Sequence, residues 1–99
     1  MEPLVIWDLE DDQDGNYVHI VVKHGVTQDE LQEVMSDLRN ETVDSYSSGR
    51  PATFGWTSTG KYIIVIWDHV HDDPWTIYPV TSYEVPPRSK AVKKRRKGR

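Results

Sequence analysis

The stretch Lys23-His24-Gly25-Val26-Thr27-Gln28-Asp29-Glu30-Leu31-Gln32-Glu33-Val34 contains the end of one helix and the start of the next. Gly25 favours the left-handed conformation that ends a helix, and Lys23 and His24 complement the negative end of that helix. Thr27, followed three residues later by Glu30, predicts a capping box. The stretch therefore predicts two short helices that are joined at Gly25.

An apolar stripe at i, i+3, i+4 and i+7 follows the capping box and predicts a helix from Gln28 to about Leu38. The members of the stripe are Leu31, Val34, Met35 and Leu38. The segment before Gly25, residues 17–24, is ambiguous, because its β-branched residues also fit a strand. Gly25 and the cationic last turn favour a short helix there.

The rest of the chain predicts strands and turns. We expect strands at residues 3–9, near 42–43, and at 52–57, 61–70 and 75–85. Ile63–Trp67 is apolar on both faces, which places that strand in the centre of a sheet. Pro79 predicts a bend or an edge position. The order indicates an α+β fold with an N-terminal strand, two short helices on one sheet face, and a three- to four-stranded antiparallel meander.

Length and composition limit the class of protein. The 99 residues suit one domain, which we place at residues 1–87, followed by a basic tail at 88–99 that we expect to be disordered. The chain has no cysteine, which excludes disulfides and thiolate metal sites. No apolar run is long enough to span a membrane, and the first residues do not resemble a signal peptide. We therefore expect a cytoplasmic protein without a membrane contact.

The charge is divided unevenly between the domain and the tail. Residues 1–87 carry four Lys or Arg against sixteen Asp or Glu, a net charge of −12, whereas residues 88–99 carry eight cations. An acidic domain repels a phosphate backbone unless its cations cluster, but the tail favours nucleic acid. The tail residues predicted to contact nucleic acid are Lys93, Lys94, Arg95, Arg96 and Lys97. A clamp on the acidic domain, or a solubilising terminus, remain alternatives for this segment.

Several short motifs together resemble the BrnT family of toxin–antitoxin ribonucleases, which have a RelE-like fold. They are Trp7-Asp8, Lys23-His24-Gly25-Val26-Thr27, the helix with Glu30 and Glu33-Val34, and the hairpin Gly55-Trp56-Thr57-Ser58-Thr59-Gly60-Lys61. The resemblance covers roughly residues 5–82 and implies an RNA endonuclease that works without metal or cofactor and binds an antitoxin-like protein. The chain departs from the family in Thr76–Thr81, which lacks arginine, and at Gly49, where the family has glutamate.

Three residues are candidates for RNA cleavage. Metal-free cleavage requires a base for the 2′-hydroxyl, cations for the phosphate and an acid for the leaving oxygen. His24 is of the residue type that exchanges protons near pH 7, and Lys23 and Arg50 are placed to hold the phosphate. Lys61 is a further candidate contact to nucleic acid. The alternative is that Lys23 and His24 only complement a helix end, and that Arg50 pairs with a carboxylate.

Two other groups of residues are candidate sites. In a regular strand, His69 and His71 would share one face, a spacing that can chelate a divalent metal. No third ligand follows at a clear spacing, so we predict no metal site. Trp56 stands at a position that is often Arg in the BrnT family, and an exposed tryptophan there would bind a protein partner.

Two main functions therefore stay open after the sequence alone, with divalent-metal binding through His69 and His71 as a third, weaker possibility. One is a BrnT-like endoribonuclease, and the other is a non-enzymatic protein-interaction module of the same fold with a nucleic-acid-binding basic tail. The potential around His24 discriminates between them, because a positive pocket favours catalysis and continuous negative potential favours binding alone.

Overall fold

Five strands and two helices make up the part of the chain that the computed structural model describes, residues 2–45 and 47–86. The strands are β1 (Leu4–Val5), β2 (Glu41–Asp44), β3 (Pro51–Trp56), β4 (Tyr62–Asp72) and β5 (Trp75–Glu84). The helices are a π-helix (Val18–Lys23) and α1 (Gln28–Ser36). The fold is α+β, as predicted. Neither helix is long and apolar enough to cross a membrane.

The strands form one mixed sheet in the order β1-β5-β4-β3-β2. The strands from β2 to β5 pair antiparallel with one another, whereas β1 pairs in parallel with the start of β5, with Leu4 opposite Thr76. β4 is the central strand, as its apolar sequence predicts. Pro87 and the tail at residues 88–99 lie outside the described residues, so the predicted domain limit and tail stay predictions.

The helices pack against one face of the sheet. The buried cluster on this face joins both helices to β4 and β5, and its members are Ile20, Val26, Leu31, Val34, Met35, Ile63, Val65, Trp67 and Ile77. Alternate residues along β3, β4 and β5 point to the other face. That other face includes Trp56, Tyr62, Ile64 and Tyr83, as the pairing of Trp56 with Tyr62 and of Ile64 with Tyr83 shows. We call it the open face.

Helix α1 begins as predicted and ends earlier than predicted. Thr27 and Glu30 form both hydrogen bonds of the capping box. The helix stops at Ser36 because Asp37 is extended and its carboxylate binds the backbone N–H and the guanidinium of Arg39. These bonds lower the pKa of Asp37 to about 2. Leu38, predicted as part of the buried stripe, is 69% exposed.

The ambiguous segment before Gly25 is a helix, but a π-helix. The strand alternation of Val18, Ile20 and Val22 does not hold, because Val22 is 65% exposed whereas the other two are buried. Gly25 has φ +73°, the predicted left-handed conformation, and the Val26 N–H donates to the Ile20 carbonyl across the turn. The turn thereby directs the chain into α1.

Two irregularities shape the β4–β5 pairing. Val80 is an extra residue on β5 beside Pro79, and Val70 is an extra residue on β4. The bulge at Val80 is the bend that Pro79 predicts, and it brings Pro79 and Ser82 to the same buried face although they are three residues apart. The bulge at Val70 changes the faces of the residues that follow it.

Candidate functional site

Side chains of residues 16–24 cover the outer edge of β5 beyond its short pairing with β1. The Asn16 amide donates to the Pro79 carbonyl oxygen over 2.9 Å, and His24 Nδ1 lies 3.0 Å from the Ser82 carbonyl oxygen. An uncovered sheet edge invites pairing with other strands, so these contacts protect it. We call the side chains at this edge the edge cluster: Asn16, His19, Lys23 and His24.

Asn16 fixes the start of this segment and is only 3% exposed. Its Oδ1 accepts from the Asp8 N–H, and its amide also donates to the Ile6 carbonyl. The Asp8 carboxylate accepts from the Asn16 N–H and from the Tyr78 hydroxyl. The bond from Tyr78 lowers the pKa of Asp8 and raises that of Tyr78 to about 12. Gly15 is required beside them, because a Cβ there would lie 2.5 Å from Asp8 Cβ.

His24 is exposed and has a fixed orientation. Its Nδ1 bonds to the Ser82 carbonyl oxygen, and its ring meets Tyr83 edge to face with centroids 5.7 Å apart. A carbonyl oxygen can only accept, so Nδ1 of His24 carries a proton. Nε2 is then the nitrogen that can exchange a proton with a bound molecule.

His19 lies against His24, with ring centroids 4.4 Å apart. Its Nε2 bonds to the Thr81 hydroxyl over 2.9 Å. Burial lowers the pKa of His19, and the nearby His24 and Lys23 lower it further. No motif in the sequence singles out this residue. The signal that could have identified it is the five-residue spacing from His24, which brings side chains together only if the segment is π-helical.

Lys23 lies in a cleft of ≈ 410 Å³ beside β5, whose walls include Asp14, His19, Tyr78 and Val80. The described residues contain three other lysines or arginines, and each forms an ion pair: Arg39 with Asp37, Arg50 with Asp68, and Lys61 with Glu30. Among residues 2–45 and 47–86, Lys23 is the lysine or arginine without such a pair. It is also the one next to His24.

Lys61 is held by hydrogen bonds within the protein rather than presented to a ligand. Its ammonium donates to the Gly25 carbonyl oxygen over 2.8 Å and to the Glu30 carboxylate over 3.1 Å. Glu30 also accepts from Thr59 and from the Thr27 N–H, while Glu33 accepts from the N–H of Ser58 in the same turn. Burial raises the pKa of Glu30, but these hydrogen bonds outweigh it and the net shift is downward. We call Glu30, Glu33, Thr59 and Lys61 the hairpin lock.

Arg50 is not brought to Lys23 and His24. It precedes β3, two strands inward from β5, and its Nε donates to Asp68 over 2.7 Å. The sequence could not anticipate this separation, because it depends on the register of β3 and β4. Arg50 therefore matches the alternative in which it pairs with a carboxylate.

Trp56 lies on the open face and is 42% exposed. Its ring contacts Tyr62 with centroids 5.1 Å apart, and Phe54 stacks near the same tyrosine. Tyr83, which is 38% exposed, lies on the same face two strands away, where it contacts His24. Trp56, which is predicted to bind a partner, thus lies on the same sheet face as Tyr83, which contacts the edge cluster.

The shared face predicted for His69 and His71 is wrong. His69 is opposite Ile77 and His71 is opposite Thr76, and these successive residues of β5 point to opposite faces. The extra residue Val70 between the two histidines reverses the alternation. Within the ranges that the structure describes, no group of three or more His, Asp or Glu residues is placed to hold a metal ion.

The tail residues predicted to contact nucleic acid, Lys93, Lys94, Arg95, Arg96 and Lys97, lie outside the described residues. Comparison with known proteins adds no further assignment. The chain matches no protein-family model, no curated protein and no solved structure. The function therefore has to be argued from the geometry of the edge cluster and from the motifs in the sequence.

Proposed function

We propose that this chain is a BrnT-like endoribonuclease with a RelE-like fold, acting in a toxin–antitoxin type of system. The motifs around Trp7-Asp8, Lys23-His24-Gly25 and the Gly55–Lys61 hairpin support the relationship. So does the order of elements, in which one strand and two helices precede an antiparallel meander. The proposed location is the cytoplasm, and the proposed partners are RNA and an antitoxin-like protein.

One observation carries the proposal: Lys23, which has no ion pair among the described residues, is next in sequence to the oriented, exposed His24. Every other lysine or arginine within the described residues is neutralised by a carboxylate. The Ser82 carbonyl leaves Nε2 of His24 available. A cation that no carboxylate neutralises attracts a phosphate, and a histidine beside it can move a proton.

The proposed reaction uses the RNA's own 2′-hydroxyl as the nucleophile. As a proton leaves the 2′-oxygen, that oxygen bonds to phosphorus and the bond from phosphorus to the 5′-oxygen breaks. The products are a 2′,3′-cyclic phosphate and a 5′-hydroxyl, and no water or metal enters the balance. His24 is the proton-transfer residue in this scheme, and Lys23 stabilises the charge on the phosphate oxygens.

Arg50 and Lys61 have different roles in this proposal from those that the sequence suggested. Both already bind carboxylates, and Lys61 also holds Gly25 in place. The basic tail supplies the missing attraction for RNA, with Lys93, Lys94, Arg95, Arg96 and Lys97 neutralising phosphates outside the cleft. Binding through the tail should therefore weaken as salt rises, and show little sequence preference.

The test is cleavage of a structured RNA by the purified full-length chain. We expect His24→Gln to lower the rate by about 10²- to 10⁴-fold, the usual contribution of a proton-transfer residue. His69→Gln is the matched control, since His69 is an exposed histidine outside the edge cluster. Equal cleavage by wild type and His24→Gln would remove His24 from the mechanism. No cleavage by wild type would reject the ribonuclease proposal.

The exposed aromatic residues of the open face favour a second function, binding of a protein partner without catalysis. Trp56, Tyr83 and Val43 are each more than a third exposed there. Co-expression with the protein encoded next to this chain tests this function. We expect Trp56→Ser to lower recovery of the complex at least tenfold, with Leu9→Ser, an exposed residue outside the sheet, as the control. Retention of the complex by Trp56→Ser would exclude Trp56 as an anchor.

A further inference from the structure

The π-helix creates a contact between two histidines that an α-helix would not make. His19 and His24 are five residues apart, and in an α-helix they would lie about 140° apart around the axis. In a π-helix, residues five apart lie one above the other, because its hydrogen bonds join them. The ring centroids are 4.4 Å apart with an interplanar angle of 61°. π-Helical turns are rare and recur at functional sites.

Both rings are anchored to adjacent residues of β5, which leaves one nitrogen of each ring available. His19 uses Nε2 to bond the Thr81 hydroxyl, and His24 uses Nδ1 to bond the Ser82 carbonyl. The available nitrogens are Nδ1 of His19 and Nε2 of His24. The two rings touch each other, and His19 also lines the cleft beside β5, so a single bound phosphodiester can contact both rings.

The surroundings of the two rings differ. His19 is half-buried and faces Lys23 and His24 from its own helix, with Asp14 and Tyr78 along the same cleft. His24 is exposed and faces His19 and, from β5, Tyr83. Two imidazolium rings in contact repel each other, so the pair holds one proton more readily than two. Burial lowers the pKa of His19 and so favours its neutral form, which is the form that can accept a proton.

We infer that His19 and His24 act together on one phosphodiester, with His19 as the base and His24 as the acid. This inference rests on the proposed ribonuclease function. Nδ1 of His19 takes the proton of the 2′-hydroxyl, and Nε2 of His24 gives its proton to the departing 5′-oxygen. The phosphorus gains a bond to the 2′-oxygen and loses its bond to the 5′-oxygen. After one turnover His19 is protonated and His24 is neutral, so the number of protons on the pair is unchanged.

The experiment separates the two roles with a modified leaving group. A short RNA is prepared with sulfur in place of one 5′-bridging oxygen, beside the same RNA with oxygen. A thiol loses its proton near pH 8.5, so a thiolate leaves without help from an acid. We expect His19→Gln and His24→Gln each to lower cleavage of the oxygen RNA about 10²-fold or more. The sulfur RNA should restore cleavage by His24→Gln to near the wild-type rate, and should leave His19→Gln slow.

The pH dependence provides a readout that a merely structural role would not change. Cleavage of the oxygen RNA by wild type should follow a bell-shaped profile, because one group must be neutral and the other protonated. His19→Gln should lose the limb on the acidic side, and His24→Gln the limb on the alkaline side. His71→Gln serves as the control and should keep both limbs.

Each outcome decides between the inference and the function on which it rests. Cleavage by His19→Gln at the wild-type rate overturns the acid–base pair but leaves the proposed ribonuclease intact. Rescue of both variants by sulfur, or of neither, also overturns the assigned roles. If wild type cleaves neither RNA, the proposed ribonuclease fails, and the inference fails with it.

Discussion

Lys23 and Lys61 are both close to Gly25, but their surroundings are opposite. Lys61 reaches the Gly25 carbonyl oxygen from the β3–β4 hairpin and is neutralised by Glu30. Lys23 belongs to the π-helix itself, lies in a cleft, and forms no ion pair with the residues that the structure describes. The neighbouring carboxylates, rather than the lysines, distinguish the two positions. Among so many acidic residues, a cation is available to a ligand only where no carboxylate forms an ion pair with it.

The hairpin lock and the edge cluster also differ in how their polar groups are used. In the hairpin lock the donors and acceptors bond to one another and thereby join α1 to the hairpin. Glu30 is only 4% exposed there. The edge cluster joins the π-helix to β5 with one nitrogen of each histidine and leaves the other available. The first arrangement is expected to contribute to stability, and the second to both stability and chemistry.

The largest effect is expected when Glu30 is removed from the hairpin lock. Glu30→Ala should lower the free energy of unfolding by about 3 kcal/mol, because it deletes half of the capping box and leaves Lys61 without its carboxylate. Urea denaturation measures the loss. Asp29→Ala, an exposed acidic residue in the same helical turn, is the control and should change stability by about 0.5 kcal/mol or less. A Glu30→Ala variant as stable as this control would contradict the assigned role.

A slightly smaller loss is expected at the buried start of the edge cluster. Asn16→Ala should cost about 2 to 3 kcal/mol of unfolding free energy, because the Ile6 and Pro79 carbonyl oxygens would both lose their donor. Thermal denaturation compares this variant with Gln13→Ala, an exposed neighbour. Equal melting temperatures for the two variants would show that water replaces the amide without cost.

The two lysines should respond in opposite ways to the same substitution. Lys23→Met should lower RNA cleavage by roughly thirtyfold, about 2 kcal/mol of transition-state stabilisation, without a measurable change in stability. Lys61→Met should instead lower stability by about 1 to 2 kcal/mol and leave the cleavage rate of the folded fraction unchanged. The proposed difference between the two lysines is wrong if both variants lose only activity, or if both lose only stability.

The smallest effect concerns the pH dependence of stability. The pKa of His19 is lower in the folded chain than the ordinary value of 6.5, so the unfolded chain binds more protons as the pH falls. His19 therefore destabilises the fold as the pH drops through 6.5 toward its folded pKa, with no effect well above 6.5. Between pH 7.5 and 5, His19→Gln should show a flatter decline in urea midpoint than wild type. If the urea midpoints of wild type and His19→Gln decline equally, a group other than His19 causes the pH dependence.

Local signals in the sequence were sufficient for the elements around Gly25. The capping box of Thr27 and Glu30, the left-handed Gly25 and the central position of β4 all follow from residue type and spacing. The prediction that Leu38 continues the buried stripe was wrong, because Asp37 binds Arg39 and ends the helix first. A competing side-chain contact of this kind changes a boundary without changing the class of element.

Only half of the residues in the edge cluster could be predicted from local signals in the sequence. Lys23 and His24 could be singled out because they are adjacent in sequence and precede a helix-ending glycine. Asn16 and His19 could not, because their roles depend on β5, which is some sixty residues away in the chain. Arg50 shows the converse. Its position in the sequence suggested that it holds the same phosphate as Lys23, but it precedes β3, which lies two strands away from β5.

The amino-acid sequence by itself determined the α+β class, the helix start at Gln28 and the uneven charge of residues 1–87 and 88–99, because these depend on neighbouring residues and on composition. Only the tertiary structure decided which cations are neutralised, which histidines touch, and that the bulge at Val70 separates His69 from His71. The physical reason is that ion pairs, ring contacts and strand register join residues far apart in the chain. Their partners are chosen by packing, which no local pattern encodes.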